Sequence, residues 1–554
     1  MQTIVRRRDG HSISKVTILV TGKLDDTCLD ILRNPPPELA LSVPIELINK
    51  PDCSRKELLE AVPTADVLLT RSETTVDKEV IDLGKNLSVI ARAAVGYGNI
   101  DVDYATLQGA LVVNTPGKNT NSAAELTFGL MLNMARQIQN ADETMKKGGW
   151  DRHRFTGTEL LGKKVGIIGL GNVGHRVAKF CNGFDMDVYA YDPYVTPEVF
   201  RRNRVTQCQT KEEILETVDI LTVHVPLNNE TKGMFCKADL LKLKPGSWVI
   251  NAARGGVVVE EDLYELLESR HISCAGIDTW EDEPLPLQKL VRHPLVVATP
   301  HIGASTHEAQ KRIGEAIAQQ ILKALRGEIV DYPVNLPNLS VLPSAAERNM
   351  SVLVEKLGRM LAQLLHFNAQ SLVLRVPADL DAKNHELFCI SAIKGYLSHN
   401  SDDFVSYVNA RLLFENRGLS LRVETCAGSG TGRSLREIQL EASGPKAKDR
   451  IVLGAVLYEG HVPRLTLINE FEFEMEPAGE LLVITNKDRP GVIGSIGTFL
   501  GSQNINIAQF DLSRNQTGGE AMSIIRTDAR LNHVQLQSME RLPNLISVKS
   551  ISGL

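Results

Sequence analysis

The sequence predicts an α/β chain of two doubly wound parallel-sheet regions in series, then an α+β stretch and a small ferredoxin-like end. Three observations predict it. Short apolar runs alternate with helical patterns in two successive series. A glycine loop with a distant acid opens the second series, and the last ~75 residues read β-α-β-β-α-β.

In the first series Val16–Val20, Val67–Thr70, Leu87–Ala91 and Leu111–Val113 read as buried strands. Segments between them, such as Ser54–Ala61, read as helices, so parallel βαβ units are expected. The second series follows Gly162, with strands Lys164–Gly169, Val188–Tyr191, Ile220–Val223, Trp248–Ile250, Ser273–Ile277 and Leu295–Val297. A long helix, Ser122–Ile138, separates the two. Prolines break the pattern at Asp331–Pro337. Ser344-Ala-Ala-Glu347 is then a capping box, in which serine and glutamate satisfy orphan helix amides reciprocally. It opens a helix with Met350, Leu353, Leu357, Leu361 and Leu364 on one face. Strands are expected at Ser420–Val423 and Ile451–Tyr458, and Gly428–Gly432 reads as a loop or hairpin. In the last region Leu481–Ile484 is the first strand and Val492–Leu500 the first helix.

Composition bounds the partners. At 554 residues the chain should hold three or four domains. A net charge of −6 gives no basic face, so no nucleic-acid partner is expected. No apolar run approaches the ~20 residues that span a bilayer, so no membrane partner is expected either. The eight cysteines form no CxxC pair, so neither a metal site nor a disulfide framework is expected, and a reducing cytoplasm fits. Met1–Lys15 is basic without an apolar core and reads as a disordered tail.

Gly169-Leu-Gly171-Asn-Val-Gly174 is a GxGxxG, which alone recurs by chance in about one such chain in four. Its context is what carries weight. The loop follows the strand Lys164–Ile168 and opens the helical pattern His175–Phe180, and Asp192 ends the next strand 18 residues after Gly174. Gly169 permits the tight turn, Gly171 lets backbone approach a pyrophosphate, and Gly174 lets helix pack on strand. The helix N-terminus faces the phosphates with unpaired amides. Asp192 would accept hydrogen bonds from the adenosine ribose and repel a 2′-phosphate, which favours NAD over NADP.

Arg254, Glu283 and His301 each follow a strand of the second series, at the edge where open α/β sheets build clefts. The set suits oxidation of a 2-hydroxy acid. An arginine fork matches a substrate carboxylate. A hydroxyl losing hydride must also lose its proton, for which histidine is the natural base, and a carboxylate behind the imidazole fixes its tautomer.

Gly169–Gly174, Asn251–Gly256, Asp278–Pro284 and Pro300–Ser305 resemble the D-isomer-specific 2-hydroxyacid dehydrogenases, from about Val16 to Pro337. The resemblance implies Arg254, Glu283 and His301 as the catalytic set. It implies cofactor contacts from Asn172, Val173, Ala253, Asp278, His301, Ile302, Gly303 and Ala304. It also implies a flavodoxin-like substrate domain of residues 16–115 and 307–337, with a Rossmann NAD domain, 116–306, inserted between.

Leu69–Val76, Asn114–Pro116, Ser122–Thr127 and Phe155–Leu160 resemble the long-form members of that family, which oxidise 3-phosphoglycerate on the way to L-serine. Arg71 would then ion-pair the substrate phosphate, with Arg92 and Arg136 as further candidates, and the Val95 and Gly96 amides would meet the carboxylate. One segment departs from the family pattern. In Ala94-Val-Gly-Tyr-Gly-Asn-Ile-Asp101, Ala94 replaces a glycine and Gly98 an aspartate. Residues 338–477 resemble the intervening domain of the long-form enzymes. Residues 478–554 resemble the ACT domain, an amino-acid-sensing module. In its serine-binding members, positions matching Asn486, Asp488 and Asn506 hold the effector. A homotetramer with L-serine as effector is the expectation that follows. Two alternatives stay open: a sister reductase of hydroxypyruvate or glyoxylate, and a non-catalytic NADH-sensing protein on the same fold.

Overall fold

The structure, a computed structural model, describes residues 14–326, 328, 330–336, 344–378, 380, 382–400, 405–426 and 437–554. The tail up to residue 13 and the glycine cluster Gly428–Gly432 lie outside the described residues.

Five parallel strands form the first sheet, in the flavodoxin-like order 2-1-3-4-5 along the chain: Ile45–Lys50, Val16–Thr21, Val67–Thr70, Val89–Arg92 and Leu111–Val113. All six residues of Val16–Thr21 are buried, as a central strand covered on both faces requires. Ile45–Lys50 is a strand the apolar-run reading missed. It lies at the sheet edge, half-exposed, and mixes Glu46, Asn49 and Lys50 with its isoleucines and leucine. The helix His307–Leu325 returns to this sheet, where Ile313, Ile317, Ile321 and Leu325 share a core with Val16, Ile18 and Val20.

Seven parallel strands form the second sheet, with Lys164–Ile168 flanked by Asp187–Tyr191 and Ile220–Val223. The order 3-2-1-4-5-6-7 is that of a Rossmann sheet with one added strand, and it reverses beside Lys164–Ile168. That reversal leaves a crevice at the carboxyl ends of the strands. The expected helix Ser122–Ile138 is two helices, Thr120–Arg136 and Ile138–Lys146. The break is at Gln137, left-handed at φ 48°, where Asn133 Oδ1 accepts from the Gln139 amide and supplies the next helix with a partner.

A mixed six-stranded sheet follows, covered by helices Ala345–Leu364 and His385–Asn400. The Ser344–Glu347 capping box forms in both directions, and Met350, Leu353, Leu357, Leu361 and Leu364 are all buried. The two helices meet at glycines. A Cβ on Gly358 would stand 2.2 Å from the Ala392 carbonyl oxygen, and one on Gly395 2.0 Å from that of Glu355.

The last sheet is antiparallel, with the ferredoxin-like order 4-1-3-2: Leu545–Ile551, Glu480–Lys487, Glu520–Thr527 and Ile507–Arg514. One face carries its own helices over Leu482, Ile484 and Ile525. The other, with Leu481, Val483, Ile524 and Ile551, joins the core of the preceding sheet. Helix Ala345–Leu364 is part of that core, and its Arg359 and Gln363 hold the carbonyls of Gly553 and Ser552. Gly358→Ala should therefore destabilise both carboxyl-terminal sheets together, by about 1–3 kcal/mol or more, because its methyl meets backbone that cannot step aside. The check is a denaturant midpoint that falls while cofactor affinity at the second sheet stays unchanged.

Candidate active site

The carboxyl ends of the two parallel sheets meet. A Cβ on Gly96, in the loop after Val89–Arg92, would lie 3.3 Å from Arg254 Nη2, in the loop after Ser247–Asn251.

On the second sheet the chain turns at Gly169, whose φ of 88° favours glycine, and a Cβ there would lie 2.7 Å from the His224 carbonyl oxygen. At Gly174 a Cβ would stand 2.0 Å from the Gly169 oxygen. Gly171 differs: beyond its immediate chain neighbours, nothing lies within 4 Å of its Cβ position. The chain itself demands two of the glycines, whereas the third keeps open the space that a pyrophosphate needs. Helix Asn172–Gly183 starts there without a side-chain cap. Asp192 stands beside the loop, its Oδ2 accepting from the Leu170 amide at 2.8 Å and its Oδ1 from that of Tyr194 at 2.9 Å. These features fit a dinucleotide.

Asn251 shapes the Arg254 loop by donating to the Arg254 carbonyl at 2.8 Å and accepting from the Ala253 amide at 3.2 Å. Arg254 is half-buried, and its Nη1 donates to the Ala253 carbonyl at 2.6 Å. Burial draws its guanidinium below the usual arginine range, with the Glu283 charge opposing. His301 and Glu283 form a pair, with Nδ1 2.8 Å from Oε2 and 3.0 Å from Oε1. A carboxylate only accepts, so Nδ1 carries the proton and Nε2 is left to exchange one. Burial alone would raise the Glu283 carboxyl. Hydrogen bonds from His301 and from the Trp280 amide, with the Arg254 charge, hold it below its ordinary value instead.

Asp278 is fully buried. It accepts from Thr299 Oγ1 at 2.6 Å, the Ile302 amide at 2.8 Å and the Gly303 amide at 2.9 Å, which ties down the loop that carries His301. Its contacts in this chain are thus to that loop, beside Ala304, whose carbonyl accepts from Gln310.

On the first sheet Arg71 donates to the Lys23 carbonyl at 2.6 Å and to Gln310 Oε1 at 2.9 Å, while its Nε is buried without a partner. Arg92, only 7% exposed, sits beside it. Its guanidinium is pushed down to about 10 by burial and by the charges of Arg71 and Arg254, against Glu73. Among the described residues none of the three arginines has a carboxylate oxygen within 4.0 Å. Sequence reasoning ranked Arg92 behind Arg71, although both stand at the carboxyl end of a parallel strand, the signal that picked out Arg71. Arg136 is exposed at the far end of a 17-residue helix, about 24 Å along its axis from the start, and is not brought to this cleft. The Val95 carbonyl accepts from Asn114 Nδ2 at 2.6 Å. At Gly98 a Cβ would touch nothing within 4 Å, so its difference from the family pattern leaves space rather than distortion.

The effector trio is not assembled within one chain. Asn486 and Asp488 lie where Glu520–Thr527 begins, with Asp488 accepting from the Gly518 amide. Asn506 lies where that strand ends, donating to Asp528 at 2.8 Å. The strand separates them by about 20 Å.

The comparisons agree with this geometry. The model of the D-isomer specific 2-hydroxyacid dehydrogenase NAD binding domain matches residues 128–303, and that of the D-3-phosphoglycerate dehydrogenase intervening domain matches residues 348–469. D-3-phosphoglycerate dehydrogenase of Methanocaldococcus jannaschii is 35% identical over 97% of this chain and 100% of its own. The Mycobacterium tuberculosis enzyme of that name is 38% identical over 93% and 95%. Among solved structures, TT0316 protein from Thermus thermophilus superposes with a TM-score of 0.52 at 32% identity, over 58% of this chain and 100% of its own. D-lactate dehydrogenase from Aquifex aeolicus, complexed with NAD and lactic acid, gives 0.50 at 25%, over 57% and 98%. Fold, glycine loop and matches together define the class: an NAD-dependent oxidoreductase of the D-isomer-specific 2-hydroxyacid dehydrogenase type. Within that class the chain belongs to the D-3-phosphoglycerate dehydrogenase family.

The open space at Gly171 makes a clean test. Gly171→Ala should leave the stability of the cofactor-free protein within about 0.5 kcal/mol, because its methyl meets no protein atom. It should weaken NAD about tenfold or more, read by calorimetric titration.

Proposed function

We propose that the chain oxidises 3-phospho-D-glycerate to 3-phosphooxypyruvate with NAD, the first step of the phosphorylated route to L-serine. The observation that supports the substrate assignment is three guanidiniums, none in ion-pair contact with a carboxylate among the described residues, converging beside the His301–Glu283 pair. That substrate carries a carboxylate and a phosphate at opposite ends of a 2-hydroxyl.

NAD, when bound, supplies the hydride acceptor. Gly169, Gly171, Asn172, Val173 and Gly174 would hold its pyrophosphate, and Asp192 its adenosine ribose. Ala253, Asp278, His301, Ile302, Gly303 and Ala304 would line its nicotinamide end. Nε2 of His301 takes the proton of the 2-hydroxyl, and Glu283 stabilises the imidazolium that results. Arg254 clamps the substrate carboxylate with the Val95 and Gly96 amides, while Arg71 and Arg92 take the phosphate.

Residues 16–115 and 307–337 would then act as the substrate-binding domain, 116–306 as the NAD domain, 338–477 as the intervening domain and 478–554 as the ACT regulatory domain. L-serine would bind where Asn486 and Asp488 of one copy meet Asn506 of another, since one chain holds them apart. A homotetramer in the cytoplasm completes the reading. The buried, unpartnered Asn486 Oδ1 supports a ligand there.

Initial rates test it. 3-phosphoglycerate should exceed unphosphorylated D-glycerate in kcat/KM, and Arg71→Ala should lower the phosphorylated value alone by about 10- to 100-fold. His301→Ala should lower kcat by about 100- to 10,000-fold on either substrate. No preference for the phosphorylated acid overturns the assignment. L-serine without effect on rate or binding would leave the last domain an assembly role.

A further inference from the structure

We infer that Asn99 is a positioning residue for the substrate phosphate, a neutral side chain that sets Arg92 and Arg71 in a fixed relation. The inference rests on the assignment of those two arginines to the phosphate.

Asn99 lies in the loop that follows Val89–Arg92. Its Oδ1 accepts from Arg92 Nε at 2.8 Å, and its Nδ2 donates to the Arg71 carbonyl at 2.9 Å and the Thr74 carbonyl at 2.6 Å. The amide has two donor hydrogens and one acceptor oxygen, and each is used. Two carbonyls demand donors and one N–H demands an acceptor, so the orientation of the amide is fixed by its partners.

The consequence falls on Arg92. Asn99 occupies the Nε of its guanidinium, which leaves the paired Nη groups for an anion. At 7% exposure that charge has lost most of its water, and among the described residues no carboxylate oxygen lies within 4.0 Å of it, Glu73 acting on it from farther away. An amide acceptor orients the guanidinium without neutralising it, whereas a carboxylate in its place would pair with Arg92 and compete with the phosphate. The loop does not depend on the side chain for its fold. Backbone bonds from Val76 to Asn99 at 2.8 Å, Ile100 to Tyr97 at 3.0 Å and Asp101 to Val76 at 2.9 Å hold it independently.

The test compares wild type, Asn99→Ala, Asn99→Asp, Arg92→Gln and the Asn99→Ala/Arg92→Gln double variant, with saturating NAD and either 3-phosphoglycerate or D-glycerate. Asn99→Ala should raise KM for 3-phosphoglycerate about tenfold, with kcat and the D-glycerate values within about twofold. Asn99→Asp, close in shape, should be worse than alanine on the phosphorylated acid alone. The double variant should lose less than the sum of the two single losses, because part of the effect of the amide passes through that guanidinium. Equal losses on both substrates, an aspartate variant no worse than alanine, or additive losses in the double variant would each overturn the inference. If alanine prevents folding, the isosteric aspartate variant carries the comparison. If wild type itself shows no preference for the phosphorylated acid, the phosphate assignment falls and this inference with it. A wild-type preference that survives in Asn99→Ala removes only the role of Asn99.

Discussion

Positive charge held without ion-pair contact at the meeting of two sheets is the constraint around which this half of the molecule is arranged. Arg71, Arg92 and Arg254 come from three different strands, and each guanidinium is at least partly withdrawn from water. Holding three like charges together without an ion-paired carboxylate is unfavourable, and burial first, then the charges of Arg71 and Arg254, lower the affinity of Arg92 for its own proton against the opposing Glu73. The surrounding chain tolerates this by meeting individual N–H groups with neutral acceptors: the Lys23 carbonyl, Gln310, Asn99 and the Ala253 carbonyl. None of these cancels the charge. A site built in this way gains most when an anion enters, which is why the charge pattern says more about the substrate than the fold does.

Carboxylates near the cleft do other work. Asp278 spends its oxygens on Thr299 and on two amides of the loop that carries His301, and Glu283 spends one on Trp280 while holding the imidazole. His301 sits at a φ of 53°, and the amides of the two residues after it are tied to one buried acid. That tie gives the imidazole a defined position relative to the sheet edge, and the Glu283 pair then fixes its rotation. Arg254 is shaped from its own strand by Asn251, so imidazole and guanidinium are each anchored to the sheet behind them.

Much of this was legible in the sequence, and the misses have physical causes. Strands buried on both faces announce themselves as continuous apolar runs, so Val16–Thr21 and Ile220–Val223 were found. The edge strand Ile45–Lys50 and the two-residue strand Thr206–Gln207 were not, because one is half polar and the other too short to show a period. The break at Gln137 depends on the Asn133 side chain, which leaves no mark on apolar spacing. At the site, GxGxxG and its acid pointed to a nucleotide loop, and the structure places Asp192 beside that loop. Spacing could not distinguish Gly171, whose space faces no protein, from Gly169 and Gly174, which their own backbone requires. Arg92 stood in the sequence only as a further candidate beside Arg136, and Asn99 was not singled out, for a different reason: their significance lies in partners brought from other strands and loops.

The carboxyl-terminal region shows the same reliance on shared surfaces. Its ferredoxin-like sheet closes a core of its own on one face only, and on the other Leu481, Val483, Ile524 and Ile551 pack into the core that contains helix Ala345–Leu364. On that helix Glu355 accepts from Lys394 at 2.6 Å and from the Tyr407 hydroxyl at 2.6 Å, and burial drives the Tyr407 phenol well above its usual range. The neighbouring Ser406 donates to the Gly109 carbonyl, just ahead of the last strand of the first sheet. A rotation of the terminal sheet would therefore have to carry this helix with it or tear a common core, and the cost of exposing those side chains favours movement as one body. Asn486 and Asn506 stand at opposite ends of the terminal sheet, so a ligand that engages both groups must join two copies. If two copies pair as proposed, such a ligand would bear on a unit that is already hydrogen-bonded to the first sheet through Ser406 and the Gly109 carbonyl.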